Sequence, residues 1–247
     1  MSSIKNIILA LTILIVTSLL FTSSLTYQPT EAKNSQFYQY QALHNKDGIG
    51  KYYLGREIAK VMGHREFLWL ERPNRENQEK PSAVISALNL KPTDTIADIG
   101  AGSGYFSFRL AQKVPQGKVF AVDIQPEMLD IIKFLSEENP QLPVIPVLGT
   151  KTSPNLEKES INLALMVDAY HEFTHPREMM EEIVTALRPQ GRVILVEYRK
   201  ENPFIFIKGV HKMSVTQVKK EMEAVGLSWV TTEEFLPQQH YIVFEKT

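Results

Sequence analysis

Apolar and polar positions follow two different periods along most of this chain. From Pro81 to the C-terminus, short runs of β-branched and aliphatic residues alternate with stretches whose apolar residues recur every three or four positions. The first pattern predicts strands at Thr95–Ile99, Lys118–Asp123, Val144–Leu148, Ile161–Val167 and Arg192–Tyr198, then at Ser228–Thr232 and Gln239–Glu245. The second predicts helices over about Ser103–Val114, Pro126–Ser136, Pro176–Leu187 and Ser214–Val225. A short helix also starts at Pro81, where a proline suits the first turn. Strands alternating with helices imply an α/β fold built on a doubly wound, mostly parallel sheet with right-handed crossovers. The terminal β-α-β-β run adds an antiparallel strand in the edge region.

Upstream the periodicity changes. Ile7 to Phe21 is apolar on all sides, about 15 residues that fit a signal-peptide core and are short for a spanning helix. Thr22–Ser24, or Thr30 with Ala32, could form a cleavage site, and an uncleaved anchor stays open. Residues 1–33 are therefore read as a signal peptide or membrane anchor with its linker. Residues 34–80 are read as a helical N-terminal extension or cap, because GREIAKVMGH from Gly55 sets Ile58, Val61 and Met62 on one side. Residues 81–247 form the main α/β domain.

Composition narrows the partners. Among 247 residues the net charge is −1 with no lysine or arginine run, which gives no support for a nucleic-acid partner. Cysteine is absent, so disulfides, thiolate metal sites and thiol nucleophiles are excluded.

The chemistry concentrates at Ile96–Ala111, IADIGAGSGYFSFRLA. A buried strand ends at Asp98, a loop supplies Gly100, Gly102 and Gly104, and a helix comes next. Glycines suit a loop whose backbone turns sharply and approaches a ligand with no Cβ in the way. The next strand ends in Asp123, where a carboxylate can accept both hydroxyls of a ribose. A nicotinamide or flavin site would want G-x-G-x-x-G, but the sixth position from Gly100 is Tyr105 and the third glycine comes one place early, at Gly104.

D-I-G-A-G-S-G followed by Asp123 resembles the cofactor motif of the class I S-adenosylmethionine-dependent methyltransferases. The resemblance runs from about Pro81 to Thr247 and implies a Rossmann-like seven-stranded sheet. It implies a loop of Gly100, Ala101, Gly102, Ser103 and Gly104 under the methionine part of S-adenosylmethionine, with Asp98 nearby. It also implies Asp123 on the ribose, Ile124 against adenine, and Gly149 and Thr150 beside the adenine edge. Many members carry an acidic residue where this chain has Thr150. GHREFLWLERP, DAYHEFTHP, VEYRKENP, HKM (His211 to Met213) and LPQQHYIVF together resemble a group of bacterial exported or membrane-associated methyltransferases, which extends the likeness upstream to about Gly48.

The fourth strand leads into Asp168-Ala169-Tyr170-His171-Glu172, a loop at the same end of the sheet. Methyl transfer from a sulfonium needs an acceptor in line and, for a hydroxyl, a group that takes its proton. His171 is the natural base, with Glu172 or Asp168 orienting it and Tyr170 beside it; Asp168 also belongs to the cofactor end. His171 read instead as a hydrogen-bonded core histidine stands level with this. H-E-F-T-H at residues 171–175 matches the zinc-protease pattern, which works only on a continuous helix. Pro176 comes immediately after and would break one, so the match is read as accidental and no metal is expected. The minority alternative is a loop-borne site using His171, His175 and either His211 or His240. Arg199, Lys208, His211 and His240 fall where they could also face the crevice.

The sequence thus predicts methyl transfer from S-adenosylmethionine to a small-molecule or lipid-like acceptor, with membrane association through residues 7–21. The alternatives are a nicotinamide-dependent oxidoreductase and a non-catalytic S-adenosylmethionine-binding module. Lys5 ahead of the apolar run, with no further basic residue until Lys33, predicts an extracytoplasmic or membrane-anchored domain.

Overall fold

Seven strands, most of them rich in Val, Ile and Leu, form one sheet in the computed structural model, which describes residues 37–246. The chain divides into two units, Met1–Gln39 and Tyr40–Thr247, and the second contains this sheet. Its strands are β3 (Thr95–Ile99), β4 (Lys118–Asp123), β5 (Val144–Leu148), β6 (Ile161–Val167), β7 (Leu187–Tyr198), β8 (Leu227–Glu233) and β9 (Gln239–Lys246), in the order β5-β4-β3-β6-β7-β9-β8. β5 to β7 run parallel, while β9 is antiparallel to both neighbours and lies one place in from the edge.

Side chains alternate across the strands, and the two faces build two cores. Ile96, Ile194, Val196, Tyr241 and Val243 face one core, shared with α2 (Pro81–Ala87), α3 (Tyr105–Ala111) and α4 (Pro126–Glu138). Ala97, Val193, Leu195, Ile242 and Phe244 face the other, shared with α5 (Pro176–Ala186) and α6 (Val215–Glu223). Helices α2, α4 and α5 each begin on a proline, and Ser214 caps α6 by accepting the Gln217 N–H at 3.2 Å. The crossovers leave β3 and β6 in opposite directions, so a crevice opens between their carboxyl ends.

The extension differs from the helix expected of its sequence. Residues expected as a helix from Gly55 instead form β2 (Arg56–Ala59), paired antiparallel with β1 (Gly48–Tyr53). Tyr53 pairs with Arg56 across Leu54-Gly55, whose φ values of 49° and 96° are those of a tight hairpin turn. Burial decides the matter: Tyr53, Ile58 and Ala59 enter the interior, and Arg56 finds a buried partner that a solvated helix would not offer. Helical structure comes after it in pieces, a 3-10 turn at His64–Trp69 and then α1 (Arg75–Glu79). The apolar run at residues 7–21 lies outside the described residues. Among the described residues no helix is long and apolar enough to cross a membrane.

Candidate active site

The glycine loop is held open by its own geometry. Gly100 has φ 78°, and a Cβ there would stand 2.6 Å from the Ala169 Cβ, an atom fixed to the backbone after β6. Gly102 has φ 56°, and its N–H donates to Asp123 Oδ2 at 2.9 Å. The other Asp123 oxygen accepts the Gln125 N–H at 2.9 Å, so each oxygen keeps acceptor capacity. Burial pushes the Asp123 carboxyl up, while the N–H groups of Gln125 and Gly102 hold it down. Bare backbone and a half-satisfied carboxylate thus meet at one place.

They face a cavity of about 560 Å³, within the range that holds a cofactor-sized ligand. Gly100, Gly102, Asp123, Ile124, Thr150, Asp168, His171 and Glu172 all line it. The extension supplies the opposite wall through Met62, Trp69, Leu70, Arg72 and Arg75. Gln125 latches that wall: its side-chain oxygen accepts the His64 N–H at 2.8 Å and its amide donates to the Met62 carbonyl at 3.0 Å.

Asp168 sits at the switch point with φ 50°, an uncommon conformation for a residue other than glycine. Its Oδ2 accepts from Gln239 Nε2 at 2.6 Å, and its buried Oδ1 has no hydrogen-bond partner among the described residues. Burial, and then the charges of Glu79 and Glu197, raise its carboxyl well above the usual range. An orphaned acceptor on a cavity wall is a place for a ligand's donor group.

At the other end His171 is 2% exposed. Its Nδ1–H donates to Glu197 Oε2 at 2.6 Å, and its Nε2 faces His211 Nδ1 at 3.1 Å. Glu172 Oε1 stands 3.8 Å from His171 Nε2 and 3.4 Å from His211 Nδ1. The second Glu172 oxygen accepts the Met62 N–H at 3.0 Å. Burial disfavours a charged imidazole, but the Glu197 carboxylate more than offsets it, and His171 ends above the ordinary histidine value.

Several expected residues lie elsewhere. Tyr170, expected at the catalytic end, is fully buried and directs its hydroxyl away to Glu221 Oε2 at 2.7 Å. Asp98 is also off the cavity wall: its Oδ2 accepts from Ser107 Oγ at 2.6 Å, which turns the carboxylate into α3. Ser103 donates to Glu71 Oε1 at 2.5 Å, and Gly104 serves as the cap of α3. Ala101 and Gly149 shape turns behind the wall without lining it. H-E-F-T-H is not helical, since only Tyr170–Glu172 form a 3-10 turn and His175 precedes α5 in a non-helical conformation. His240 pairs with Glu201 and Glu234, and Arg199 with Glu234, away from the cavity; Lys208 does line it.

Glu197 and Gln125 were not anticipated. A lone glutamate ending the apolar run RVILVEY was the available signal for the first. Nothing local marks Gln125, because its partners are 61 and 63 residues distant in the chain.

Residues 96–191 match the model of a methyltransferase domain. Over 126 residues the chain is 27% identical to the demethylmenaquinone methyltransferase of Chlamydia muridarum, a match that covers 51% of this chain and 54% of that protein. Over 116 residues it is 28% identical to the arsenite methyltransferase of Halobacterium salinarum, covering 47% of this chain and 30% of that protein. The chain thus spans about half or less of these curated relatives. A solved S-adenosylmethionine-dependent methyltransferase from Aquifex aeolicus superposes with a TM-score of 0.71 at 20% identity, over 76% of this chain and 100% of that one. At that identity the likeness is one of fold.

Proposed function

We propose that this chain, which carries a methyltransferase domain of the class I S-adenosylmethionine-dependent type, transfers a methyl group from S-adenosylmethionine to a small-molecule or lipid-like acceptor. The observation that carries the proposal is the meeting of bare backbone at Gly100 and Gly102 with the Asp123 carboxylate on one cavity wall. When bound, the cofactor supplies an electrophilic methyl group on a sulfonium. Asp123 offers its free lone pairs to a ribose, and Ile124 an apolar surface to a base. Asp168 Oδ1 is the acceptor left for the ligand's ammonium or another donor. His171 and Glu172 line the acceptor end, where the reacting group must lose its proton. Burial of the reactants between the extension and the sheet orients them and limits water.

The demethylmenaquinone and arsenite enzymes among its relatives support a small acceptor. The apolar run at residues 7–21 supports a membrane-anchored or exported chain, and Lys5 ahead of it with no basic residue until Lys33 supports a domain that faces away from the cytoplasm.

Calorimetry on the full chain tests the cofactor assignment. S-adenosylmethionine or its demethylated product should bind, and NAD should not. Binding should be lost in Gly100→Ala, whose new methyl meets Ala169, and weakened about a hundredfold in Asp123→Ala, which loses two charged hydrogen bonds. Equal binding by the wild type and both variants would refute the proposal.

A further inference from the structure

We infer that His171 Nε2, His211 Nδ1 and Glu172 Oε1 form a site for one divalent transition-metal ion, which presents a hydroxyl-bearing acceptor to the methyl donor. The role of the ion in transfer rests on the function proposed above; the site itself does not.

The distances set the case. The three atoms make a triangle with sides of 3.1, 3.4 and 3.8 Å. A point about 2.0 Å from all three lies at its centre, which is the bond length of zinc and similar ions to imidazole nitrogen and carboxylate oxygen.

The surroundings are those of a metal site. Glu197, fully buried, takes the Nδ1–H of His171 and so fixes the Nε2 lone pair toward the cavity. Met62 N–H holds the far oxygen of Glu172, which orients the near one. Arg56 donates to the His171 carbonyl at 3.1 Å and holds the turn that carries both residues. An ion would also answer the carboxylates of Glu172 and Glu197 with positive charge. Without it, two imidazole nitrogens aimed at each other must share a proton.

Two histidines and one carboxylate suit zinc, manganese or ferrous iron rather than magnesium or calcium, which prefer all-oxygen shells. The three ligand residues also line the cavity, so an ion held by them would stand on its wall. An acceptor hydroxyl bound there loses its proton to solvent, because the ion stabilises the resulting oxyanion. The oxygen lone pair then forms the O–CH₃ bond as the S–CH₃ bond breaks, and its electrons return to sulfur as a neutral thioether.

This site is unrelated to the H-E-F-T-H spacing. His175 takes no part, and His211 arrives from a 3-10 turn 40 residues away from His171.

The full chain, stripped with a chelator and dialysed, is titrated with Zn²⁺ by calorimetry and with Co²⁺ by visible absorption. One ion per chain should bind, with a cobalt spectrum of nitrogen and oxygen ligation. His211→Ala, on the less buried side of the site, should weaken binding by more than about a hundredfold, and Glu197→Gln by about tenfold. His175→Ala should change nothing. S-adenosylmethionine is titrated into the same samples and should bind the His211→Ala variant as it binds the wild type. Substoichiometric binding, or equal affinity in wild type and His211→Ala, overturns the metal site and shows a hydrogen-bonded histidine pair instead. Metal bound with no S-adenosylmethionine binding would keep the site and sink the methyl-transfer reading.

Discussion

Asp98 shows how far one side chain's role depends on where its neighbours put it. Its motif position suggested a ligand contact, yet its carboxylate is 3% exposed and turned to Ser107. Burial raises the Asp98 carboxyl to about 6 against the Ser107 hydrogen bond, with the Asp123 charge adding to the rise. A raised carboxyl stabilises the fold fully below its unfolded value of 3.8, and that contribution is lost as pH rises through about 6. Asp98→Asn keeps an acceptor for Ser107 and removes the titration. Urea denaturation should therefore show the variant gaining about 3 kcal/mol on wild type between about pH 3 and pH 7. S-adenosylmethionine affinity should stay within about threefold of wild type, or about 0.7 kcal/mol. A flat stability difference across that range, or a large loss of affinity, would return Asp98 to the ligand.

Among the elements, the β1–β2 hairpin is tied to the domain by a buried charge pair. Arg56 Nε donates to Glu221 Oε1 at 2.7 Å and its Nη2 to Glu221 Oε2 at 2.9 Å, with both side chains at most 4% exposed. Tyr170 donates to the same carboxylate, so the hairpin, the His171 turn and α6 share one network. Removing one partner strands the other charge. Arg56→Ala should cost about 3–5 kcal/mol in urea denaturation, and the Arg56→Met, Glu221→Leu double variant should cost less than that single change. An Arg56→Ala loss under about 1 kcal/mol would make the hairpin an accessory. The same network accounts for the strand that stands where a helix was expected. Ile58, Val61 and Met62 do have helical spacing, but Val61 is 37% exposed while Arg56 and Ile58 are buried together on the inward side of a strand. Local periodicity does not contain Glu221, which lies 165 residues away.

At the scale of the whole molecule, we propose that residues 7–21 attach the chain to a membrane with the domain outside the cytoplasm. The proposed orientation puts a cofactor-dependent domain outside the cytoplasm, where the cofactor would have to be supplied. Protease added to intact spheroplasts should degrade the domain before lysis. Protection until the membrane is broken would assign the opposite orientation, with the run at residues 7–21 as a cytoplasm-facing anchor. A net charge of −1 gives the molecule no long-range pull toward an anionic surface, so attachment would rest on the apolar run.

Sequence alone determined the sheet and the meeting of the glycine loop with Asp123. Both are encoded locally: buried parallel strands read as β-branched runs, prolines and Ser214 mark helix starts, and the glycine loop and Asp123 occupy adjacent strand ends. The four parallel strands from Thr95 to Val167 were legible to the residue for that reason. β7 begins at Leu187, five residues before its apolar run, because polar Arg188 and Gln190 are exposed and leave no hydrophobic mark. Only the tertiary structure decided the end of the cavity around His171. Packing brought His211 onto His171, put Glu197 behind it, turned Tyr170 into the core and closed the extension over the cavity through Gln125. These contacts join residues far apart in the chain, and burial and hydrogen bonding fix them after folding, so no spacing in the sequence carries them.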